Sequence, residues 1–274
     1  MIRLAEAFLS WAVAFVWRRL ARLLERPIRC KRALLVTAHP DDETMFFAPT
    51  LLSLDEAGCD THLLCLSKGD AYGLGDTRKN ELLDACNVLK VPPINVKVID
   101  HDKLQDGMQE IWDETTISAL VAEEVQRHCI DTIITFDAHG VSGHPNHSAT
   151  FRGIMLYLQS QEGQKERPCV WTLVSCSVFR QFSGVVNIPA TWLISHPSAA
   201  VILTRDPAAS WMAMRQHASQ WVWFRWLFIA FSSYVYINAL LPIQFSLSGS
   251  PQAAAKGGRQ SSVEHCTGHK ARKE

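Results

Sequence analysis

Short apolar runs alternate with longer amphipathic segments from Ala33 onward. Runs with the length and β-branched content of buried strands lie at 33–38, 62–67, 95–100 and 130–136, and further apolar runs lie at 169–179 and 198–204. Helix-length segments follow at 43–57, 77–90, 115–128, from about 147, and at 207–220. Strands that alternate with helices are typical of a parallel sheet reached by crossover connections. The pattern predicts an α/β, Rossmann-like fold, with a mostly parallel sheet and helices on both faces.

An apolar and basic segment precedes this body. Residues 7–17 carry no formal charge, but eleven residues fall short of the ~20 that a membrane-spanning helix needs. Residues 1–32 hold eight basic and two acidic side chains. Such a segment either inserts with its basic end on the cytoplasmic side or lies in the membrane interface as an amphipathic anchor. We therefore predict a membrane-anchoring segment at 1–32 and a catalytic domain at 33–220.

A second apolar segment lies towards the C-terminus. Residues 226–245 form a twenty-residue stretch without a formal charge, and residues 221–236 are rich in tryptophan and tyrosine. Aromatic side chains of this kind favour membrane interfaces. The segment 221–245 is therefore predicted to be an aromatic helix that either associates with a membrane or packs on the sheet. The Gly-, Ser-, Ala- and Lys-rich segment 246–274 is predicted to be a disordered tail.

Charge and cysteine usage exclude several classes of protein. The chain has 27 Lys and Arg against 27 Asp and Glu, so its net charge gives no reason to expect nucleic-acid binding. The eight cysteines are scattered and form no CxxC pair. This arrangement indicates neither a disulfide framework nor a cysteine-based zinc site. A body that faces the reducing cytosol is the expected setting.

A histidine and three acidic residues follow the first predicted strand directly. The sequence there reads A-H-P-D-D-E, with His39, Asp41, Asp42 and Glu43. Ligands of parallel α/β sheets gather at the carboxyl ends of the strands, which is where these side chains fall. The alternative is that the acidic residues only stabilise the N-terminus of the next helix.

A second polar loop follows the strand at 130–136. It runs from Asp137 to His147, is rich in glycine, and ends with His144 and His147 three residues apart. Two histidines on one loop, together with a His-x-x-Asp at another strand end, match a site built from separate strand termini. We therefore predict a metal site at the carboxyl ends of the strands.

The residue types in these two loops suit metal-assisted hydrolysis. His39, Asp42 and His147 offer two nitrogens and one carboxylate oxygen, a set that suits Zn²⁺ with one position open to water. Asp41 is placed to accept the proton of that water. His144, as an imidazolium, would stabilise the oxyanion or protonate the leaving amine. Two histidines and a carboxylate also describe non-haem iron oxygenases, so the ligands alone leave that chemistry open.

The two motifs, A-H-P-D-D-E and S-G-H-x-x-H, resemble the LmbE/PIG-L family of zinc-dependent N-acetylglucosaminyl deacetylases. The resemblance extends from about 33 to 240 and includes the segments 45–50, 77–82, 135–137 and 221–225. It implies that His39, Asp42 and His147 bind zinc or another divalent metal. It further implies that Asp41 is the general base and that His144 stabilises the transition state.

The resemblance also implies two residues that contact the substrate. Arg78 lies in an R-x-x-E-L segment, and its guanidinium suits a phosphate group, with a salt bridge to Glu81 as the alternative. Asp137 is expected to line the substrate site, where it would orient the loop or His144 by hydrogen bonding. Asn146 stands where some bacterial relatives have Asp, which weakens any tuning of His144 by charge.

The added matches are closest to the eukaryotic branch of the family, which implies a reaction. That branch hydrolyses the N-acetyl group of N-acetylglucosaminyl-phosphatidylinositol to give acetate and glucosaminyl-phosphatidylinositol, the second step of glycosylphosphatidylinositol (GPI) anchor synthesis. The expected partners are this glycolipid and a membrane, with no nucleic acid. The expected location is the endoplasmic reticulum membrane, with the catalytic domain facing the cytoplasm. The alternatives are a deacetylase of a soluble N-acetylglucosamine conjugate and a non-catalytic membrane scaffold.

Overall fold

A mixed sheet lies at the centre of the molecule. The computed structural model describes residues 15–164, 166–245 and 251–252. Within these ranges, seven strands pair in the order β3-β2-β1-β4-β5-β7-β6. The strands are β1 (Arg32–Thr37), β2 (Asp60–Cys65), β3 (Val96–Val98), β4 (Thr132–Phe136), β5 (Cys169–Leu173), β6 (Ala200–Leu203) and β7 (Ile237–Pro242). Neighbouring strands are parallel from β3 to β5, whereas β7 is antiparallel to both β5 and β6. A two-stranded ribbon adds β8 (Gln244–Phe245) and β9 (Pro251–Gln252).

Helices surround this sheet, as the alternating pattern predicts. They are α1 (15–24), α2 (Asp42–Phe46), α3 (Ala48–Glu56), α4 (Gly75–Val88), α5 (Glu114–His128), α6 (Gly140–Gly143), α7 (Pro145–Ser160), α8 (Val178–Gln181), α9 (Asn187–Ile194), α10 (Pro207–Gln216) and α11 (Trp223–Phe231). Short 3₁₀ turns occupy Pro93–Asn95, Gly184–Val186, Ala218–Gln220 and Ser233–Val235. Helix α5 packs against α7, and α4 packs against α10. The prediction of a mostly parallel α/β sheet is confirmed.

The core is formed by the continuous apolar strands at the centre of the sheet. Every residue of β4 is buried, and in β1 only Arg32 is exposed. Side chains on both faces of a central parallel strand are covered, so its sequence is apolar throughout rather than alternating. This explains why the runs at 33–38 and 130–136 are visible in the sequence as strands.

Strands β1 and β4 are neighbours, and their position determines where a ligand can bind. The chain leaves β1 towards β2 on one side of the sheet, whereas β4 lies on the other side of β1. Crossovers that diverge from two adjacent parallel strands leave a crevice outside their carboxyl ends. The two polar loops of the sequence begin at this crevice.

The prediction of a single helix over 221–245 is wrong. The segment contains the nine-residue helix α11, the turn Ser233–Val235 and then strand β7. Strand β7 inserts between β5 and β6, and the side chain of Asn238 donates a hydrogen bond to the carbonyl of Phe46 at 2.9 Å. A central strand and a buried helix are both apolar without interruption, so hydrophobic pattern alone does not separate them.

The terminal predictions are only partly covered by the structure. Residues 1–14 lie outside the described ranges, and residues 15–24 are helical. Of the segment 246–274, only Pro251–Gln252 is described, and it pairs with Gln244–Phe245. In the ranges that the structure describes, no helix combines the length and the apolar character needed to cross a bilayer.

Candidate active site

The loops after β1 and β4 bring three histidines together. The ring centroids of His39 and His144 are 4.8 Å apart, and those of His144 and His147 are 5.2 Å apart. One nitrogen from each of His39, His144 and His147 lies within 4.8 Å of the others, a group that could hold a metal ion. The predicted convergence of the two motifs is therefore present in the fold.

Asp42 and His147 form the buried centre of this group. The Oδ2 atom of Asp42 accepts hydrogen bonds from the backbone N–H groups of Ala38 at 3.0 Å and His39 at 2.8 Å. Its Oδ1 atom lies 3.2 Å from Nε2 of His147. The Nδ1 atom of His147 lies 2.9 Å from the carbonyl of Gly140, which can only accept, so Nδ1 carries the proton of the neutral ring.

The short contact between Oδ1 of Asp42 and Nε2 of His147 is favourable only with a positive charge between the two atoms. In the neutral ring, Nε2 of His147 is an electron-pair donor that faces a carboxylate oxygen. Burial lowers the pKa of His147, but Asp42 outweighs it and the pKa is raised. Burial likewise opposes ionisation of Asp42, yet His147 and His39 lower its pKa. A proton or a metal ion between the two atoms satisfies both, so the residues present fit the divalent metal that the sequence predicts.

His39 is oriented by a carboxylate that sequence reasoning missed. The Nε2 atom of His39 lies 3.1 Å from Oδ1 of Asp106 and 3.0 Å from the side-chain amide of Asn146. Asp106 only accepts and Nδ2 of Asn146 only donates, so the two contacts favour opposite tautomers of His39. A proton on Nε2 satisfies the charged partner Asp106 and leaves the lone pair of Nδ1, 3.8 Å from Oδ2 of Asp42, for a metal. Asp106 also pairs with Arg78 at 3.3 Å. It lies in the loop after β3, where no spacing in the sequence connects it to His39.

Asp106→Asn is expected to weaken metal binding. The amide removes the charge that fixes the tautomer of His39, and losing such a partner typically costs about 10–100-fold in metal affinity. Zinc affinity would be measured by competition with a chromophoric chelator. The control is Asp102→Asn, an exposed residue of the same loop. Equal affinities for the two variants would contradict the orienting role.

Asp41 lies in the chain between His39 and Asp42, two of the predicted metal ligands. It is 4% exposed, and its φ of 113° is unusual for a residue other than glycine. Its backbone N–H donates to Oε2 of Glu43 at 3.0 Å, and its Oδ2 lies 2.6 Å from Nη2 of Arg225. Burial raises the pKa of Asp41, Arg225 opposes the rise and Asp42 adds to it. A carboxylate with a raised pKa is a better proton acceptor near neutral pH than an exposed one.

A buried pair formed by His217 and Glu43 supports the backbone of Asp41. The Nε2 atom of His217 lies 2.7 Å from Oε1 of Glu43, and neither side chain is exposed to solvent. Burial lowers the pKa of His217, but Glu43 outweighs it and raises the pKa. Since Glu43 also accepts the backbone N–H of Asp41, the pair holds the unusual backbone conformation of that residue. His217 follows α10, far along the chain, and no motif in the sequence points to it.

His144 is held by the helix that it begins. It is the N-cap of α7, and its Nδ1 atom accepts a hydrogen bond from the backbone N–H of Asn146 at 3.2 Å. Burial, with His39 and His147 nearby, lowers the pKa of His144 to about 4. The role expected of its imidazolium form stays a prediction, while the lowered pKa favours the neutral ring. Its proton lies on Nε2, which makes that atom a hydrogen-bond donor.

The guanidinium of Arg78 holds two loops at the edge of the crevice. Its Nη1 atom donates to the carbonyl of Gly69 at 2.7 Å, and its Nη2 atom donates to the carbonyl of Pro40 at 2.9 Å. Glu81 accepts hydrogen bonds from the N–H and the hydroxyl of Ser219, each at 2.6 Å. The alternative role of Arg78 as the partner of Glu81 is therefore wrong, and contact with a substrate phosphate stays a prediction.

Asp137 shapes the second loop. Its carboxylate accepts hydrogen bonds from the N–H of His139 at 3.0 Å and from the N–H and hydroxyl of Ser175 at 2.7 and 2.6 Å. The hydroxyl of Ser175 in turn accepts the N–H of Val141 at 2.9 Å. These bonds connect the carboxyl ends of β4 and β5. A direct contact of Asp137 with substrate stays a prediction.

An apolar cavity adjoins Arg225, the partner of Asp41. It encloses about 530 Å³ and is lined by Met45, Phe182, Arg225, Leu227, Phe228 and Phe231. Arg225 belongs both to this lining and to the ion pair with Asp41. Arg225 therefore lies between the cavity and Asp41, which does not itself line the cavity.

Comparison with known proteins places the chain in a family. Residues 34–158 match the family described as PIG-L: GlcNAc-PI de-N-acetylase. The N-acetylglucosaminyl-phosphatidylinositol de-N-acetylase of Bos taurus is 39% identical over 247 residues, which cover 88% of this chain and 96% of that protein. The chain belongs to the PIG-L family. A probable enzyme of the same name from Schizosaccharomyces pombe is 37% identical and covers 76% of this chain and 85% of its own length.

The fold of this PIG-L protein has solved counterparts. The N,N'-diacetylchitobiose deacetylase from Pyrococcus horikoshii aligns with a TM-score of 0.58 at 14% identity, over 83% of this chain and 91% of that one. At this identity the likeness concerns the fold. The family, the fold class and the assignment to a deacetylase family of enzymes, all predicted from the sequence, are confirmed.

The metal site gives a direct test in this PIG-L protein. Zinc is expected to raise the melting temperature of the metal-stripped wild type, because an ion that binds only the folded state stabilises it. In His147→Ala this zinc-dependent shift should be lost. His139→Ala, an exposed histidine of the same loop, should retain it. Thermal unfolding with and without zinc measures both, and an unchanged shift in His147→Ala would contradict the ligand assignment.

Proposed function

We propose that this chain hydrolyses the N-acetyl group of N-acetylglucosaminyl-phosphatidylinositol, giving acetate and glucosaminyl-phosphatidylinositol. The observation that carries the proposal is the buried arrangement of His147, Asp42 and Asp41. Two electron-pair donors, 3.2 Å apart, face each other beside a carboxylate whose pKa is raised by burial. The names of the curated relatives support this amide as the substrate.

The residues proposed to hold a divalent metal, zinc in the first instance, are His39, Asp42 and His147. The donors available are Nδ1 of His39, the carboxylate of Asp42 and Nε2 of His147. When bound, such an ion activates a water molecule and polarises the substrate carbonyl. Asp106 and Gly140 fix the two imidazole rings by accepting their other N–H groups.

The chain's own residues move the protons. Asp41 accepts a proton from the attacking water as the bond between the water oxygen and the acetyl carbon forms. The Nε2–H of His144 donates a hydrogen bond to the oxyanion that develops on the carbonyl oxygen. The C–N bond then breaks, the proton held by Asp41 passes to the leaving amine, and acetate is released. A neutral His144 performs this role without carrying charge into the buried site.

The lipid portion of the substrate distinguishes this reaction from deacetylation of a soluble sugar. The apolar cavity of about 530 Å³ beside Arg225 suits hydrocarbon or glycerol groups, which a soluble conjugate lacks. We assign Arg78 and Asp137 to the substrate side of the crevice, with Arg78 directed to the phosphate. The glycolipid places the enzyme at a membrane, for which we propose the cytoplasmic face of the endoplasmic reticulum.

Acetate release is the test of this proposal. The full-length protein would be stripped of metal and assayed with and without zinc, using N-acetylglucosaminyl-phosphatidylinositol in vesicles. The matched substrate is water-soluble N-acetylglucosaminyl-inositol, which carries the same amide without a lipid. Zinc-dependent release from the lipid, faster than from the soluble compound, is the expected result.

Two outcomes would reject the proposal in different ways. Release from the soluble compound alone would establish the soluble-conjugate deacetylase instead. No release from either compound by folded, zinc-loaded protein would establish the non-catalytic scaffold. The joint presence of His39, Asp41, Asp42, His144 and His147 argues against that scaffold, because a protein without a reaction has no need of this set.

A further inference from the structure

We infer that a surface formed by α8, the turn Gly184–Val186, α9 and α11 binds a lipid bilayer. This surface is called the apolar face below. The inference deepens the proposed function, which supplies the reason for choosing a lipid as the partner. The segments 1–32 and 221–245 are predicted from the sequence to associate with a membrane, whereas the segment 178–194, which forms most of this face, is not.

The apolar face exposes large hydrophobic side chains along its whole length. Phe179 in α8 is 92% exposed, and Val186 in the following turn is 77% exposed. Leu193 in α9 and Phe231 in α11 are exposed as well. The turn Gly184–Val186 packs against both α9 and α11, so these elements are continuous. Contiguous apolar surface of this kind marks an interaction site rather than ordinary exposure.

The charge of this part of the chain matches an anionic membrane. Between residues 167 and 245 the sequence contains one acidic residue, Asp206, which lies at the N-cap of α10. The same stretch contains five arginines, of which Arg205 and Arg225 pair with carboxylates of the protein itself. A surface without carboxylates avoids repulsion from phosphatidylinositol, and basic side chains near it are attracted to the same lipid.

Helix α1 extends the face on its other side. Its exposed positions alternate between apolar side chains, such as Leu20 and Leu23, and arginines, such as Arg19 and Arg22. The indole N–H of Trp192 in α9 donates a hydrogen bond to the carbonyl of Leu24 at 3.0 Å. Helix α1 therefore ends against α9, and its apolar and basic composition is that of a helix lying in a membrane interface.

The position of the cavity connects the face to the reaction. Phe182 and Phe231 are exposed at the edge of the face and also line the apolar cavity, and Arg225, another lining residue, pairs with Asp41. A lipid held in this cavity while its acyl chains remain in the bilayer would lie against Arg225, the residue that pairs with the proposed base. A protein partner or a second copy of this chain would cover the same side chains but would close this cavity to lipid.

Quenching by spin-labelled lipid tests the apolar face directly. Single accessible cysteines at Phe179, Val186 or Leu193 would carry the fluorophore NBD. The full-length background has serine at Cys266 and at the described cysteines that are not buried, Cys30, Cys129, Cys169 and Cys176. The matched controls are Ile94 and Ile111, which are 90% and 94% exposed and lie outside the face. Each protein would be reconstituted with phosphatidylcholine, phosphatidylinositol and doxyl-labelled phosphatidylcholine.

The inference expects strong quenching at 179, 186 and 193 and little at 94 and 111. Quenching is compared among the five labelled positions while every protein is bound to the membrane. A membrane anchor elsewhere in the chain is common to all five proteins and does not produce a difference between the positions. Equal quenching at all five positions overturns the inference, as does quenching between labelled copies without quenching by lipid, which would indicate a dimer. The measurement involves no turnover, so its failure is distinct from failure of the proposed reaction.

A paired variant tests the consequence for activity. Phe179→Asp/Val186→Asp is expected to lower release from vesicle-embedded substrate by about tenfold or more, because two apolar contacts with lipid are replaced by charge. Release from soluble N-acetylglucosaminyl-inositol should be unchanged. Ile94→Asp/Ile111→Asp should leave both rates unchanged. Equal losses on the two substrates, or no loss on vesicles, would overturn the inference.

Discussion

Replacing Asp41 with Asn is expected to lower kcat by about 10²–10⁴-fold, the usual contribution of a general base. The amide has the same shape but cannot accept the proton of the attacking water. Asn also tolerates the φ of 113° at this position, because Asp and Asn are enriched at positive φ. The substitution therefore changes the chemistry while leaving the backbone and the hydrogen bond to Glu43 in place.

Steady-state acetate release with zinc-loaded protein measures this effect. Zinc content must be measured in parallel, because Asp41 is proposed as a base and not as a ligand, so Asp41→Asn should bind zinc like the wild type. Asp84→Asn, an exposed residue of α4, is the matched control and should turn over normally. If Asp41→Asn keeps more than about a tenth of the wild-type rate at full zinc content, another group must accept the proton.

His217→Leu is expected to lower the free energy of unfolding by about 3–5 kcal/mol, the cost of leaving one partner of a buried ion pair alone. Glu43 is fully buried and loses the imidazole that faces its Oε1 atom at 2.7 Å, keeping the hydrogen bonds from the Thr44 hydroxyl and the Asp41 N–H. Since Glu43 also accepts the N–H of Asp41, activity should fall as well. Urea denaturation of the metal-stripped protein measures the first effect separately from metal binding.

The control for this loss is a pair on the surface. Glu123 and Arg127 contact each other with about half of each side chain exposed, and Arg127→Ala should lower the free energy of unfolding by no more than about 1 kcal/mol.

The pH dependence of stability adds a second check on the His217–Glu43 pair. Glu43 raises the pKa of His217 despite burial, so the stabilisation is complete below the ordinary histidine pKa of about 6.5. It is lost as the pH rises through the higher folded pKa. A wild type and a His217→Leu variant of equal stability would contradict the role of the pair.

The sequence predicts the parts of the fold whose patterns are local. Strands β1, β4 and β6 appear as uninterrupted apolar runs, and the helices between them have amphipathic patterns. Strand β7 was missed because its partners, β5 and β6, lie far away in sequence. An apolar run carries no information on whether it will pair with them or form a helix.

The residues of the site also divide into those that the sequence predicts and those that it does not. His39, Asp42 and His147 lie in two compact motifs at strand ends, so residue type and spacing are enough to connect them. Asp106 and His217 were missed because each reaches the site from a separate loop, and a lone acidic residue or histidine has no spacing to recognise. The pKa of His144 is likewise not readable from the sequence, because it depends on burial and on two neighbouring imidazoles.

The place of β7 inside the sheet has a consequence for the order of folding. Strand β6 is synthesised before β7, but in the sheet it lies on the far side of β7 from β5. Strands β5 and β6 therefore each keep an unpaired edge until residues 237–242 insert between them. Pairings between segments so distant in sequence form slowly, and open strand edges in the meantime invite association with other chains. Asn238 of β7 also donates to the carbonyl of Phe46, at the end of α2. The loop and helix α2, which carry the proposed base Asp41, are translated early. They complete their contacts only when β7, one of the last strands to be made, has joined the sheet.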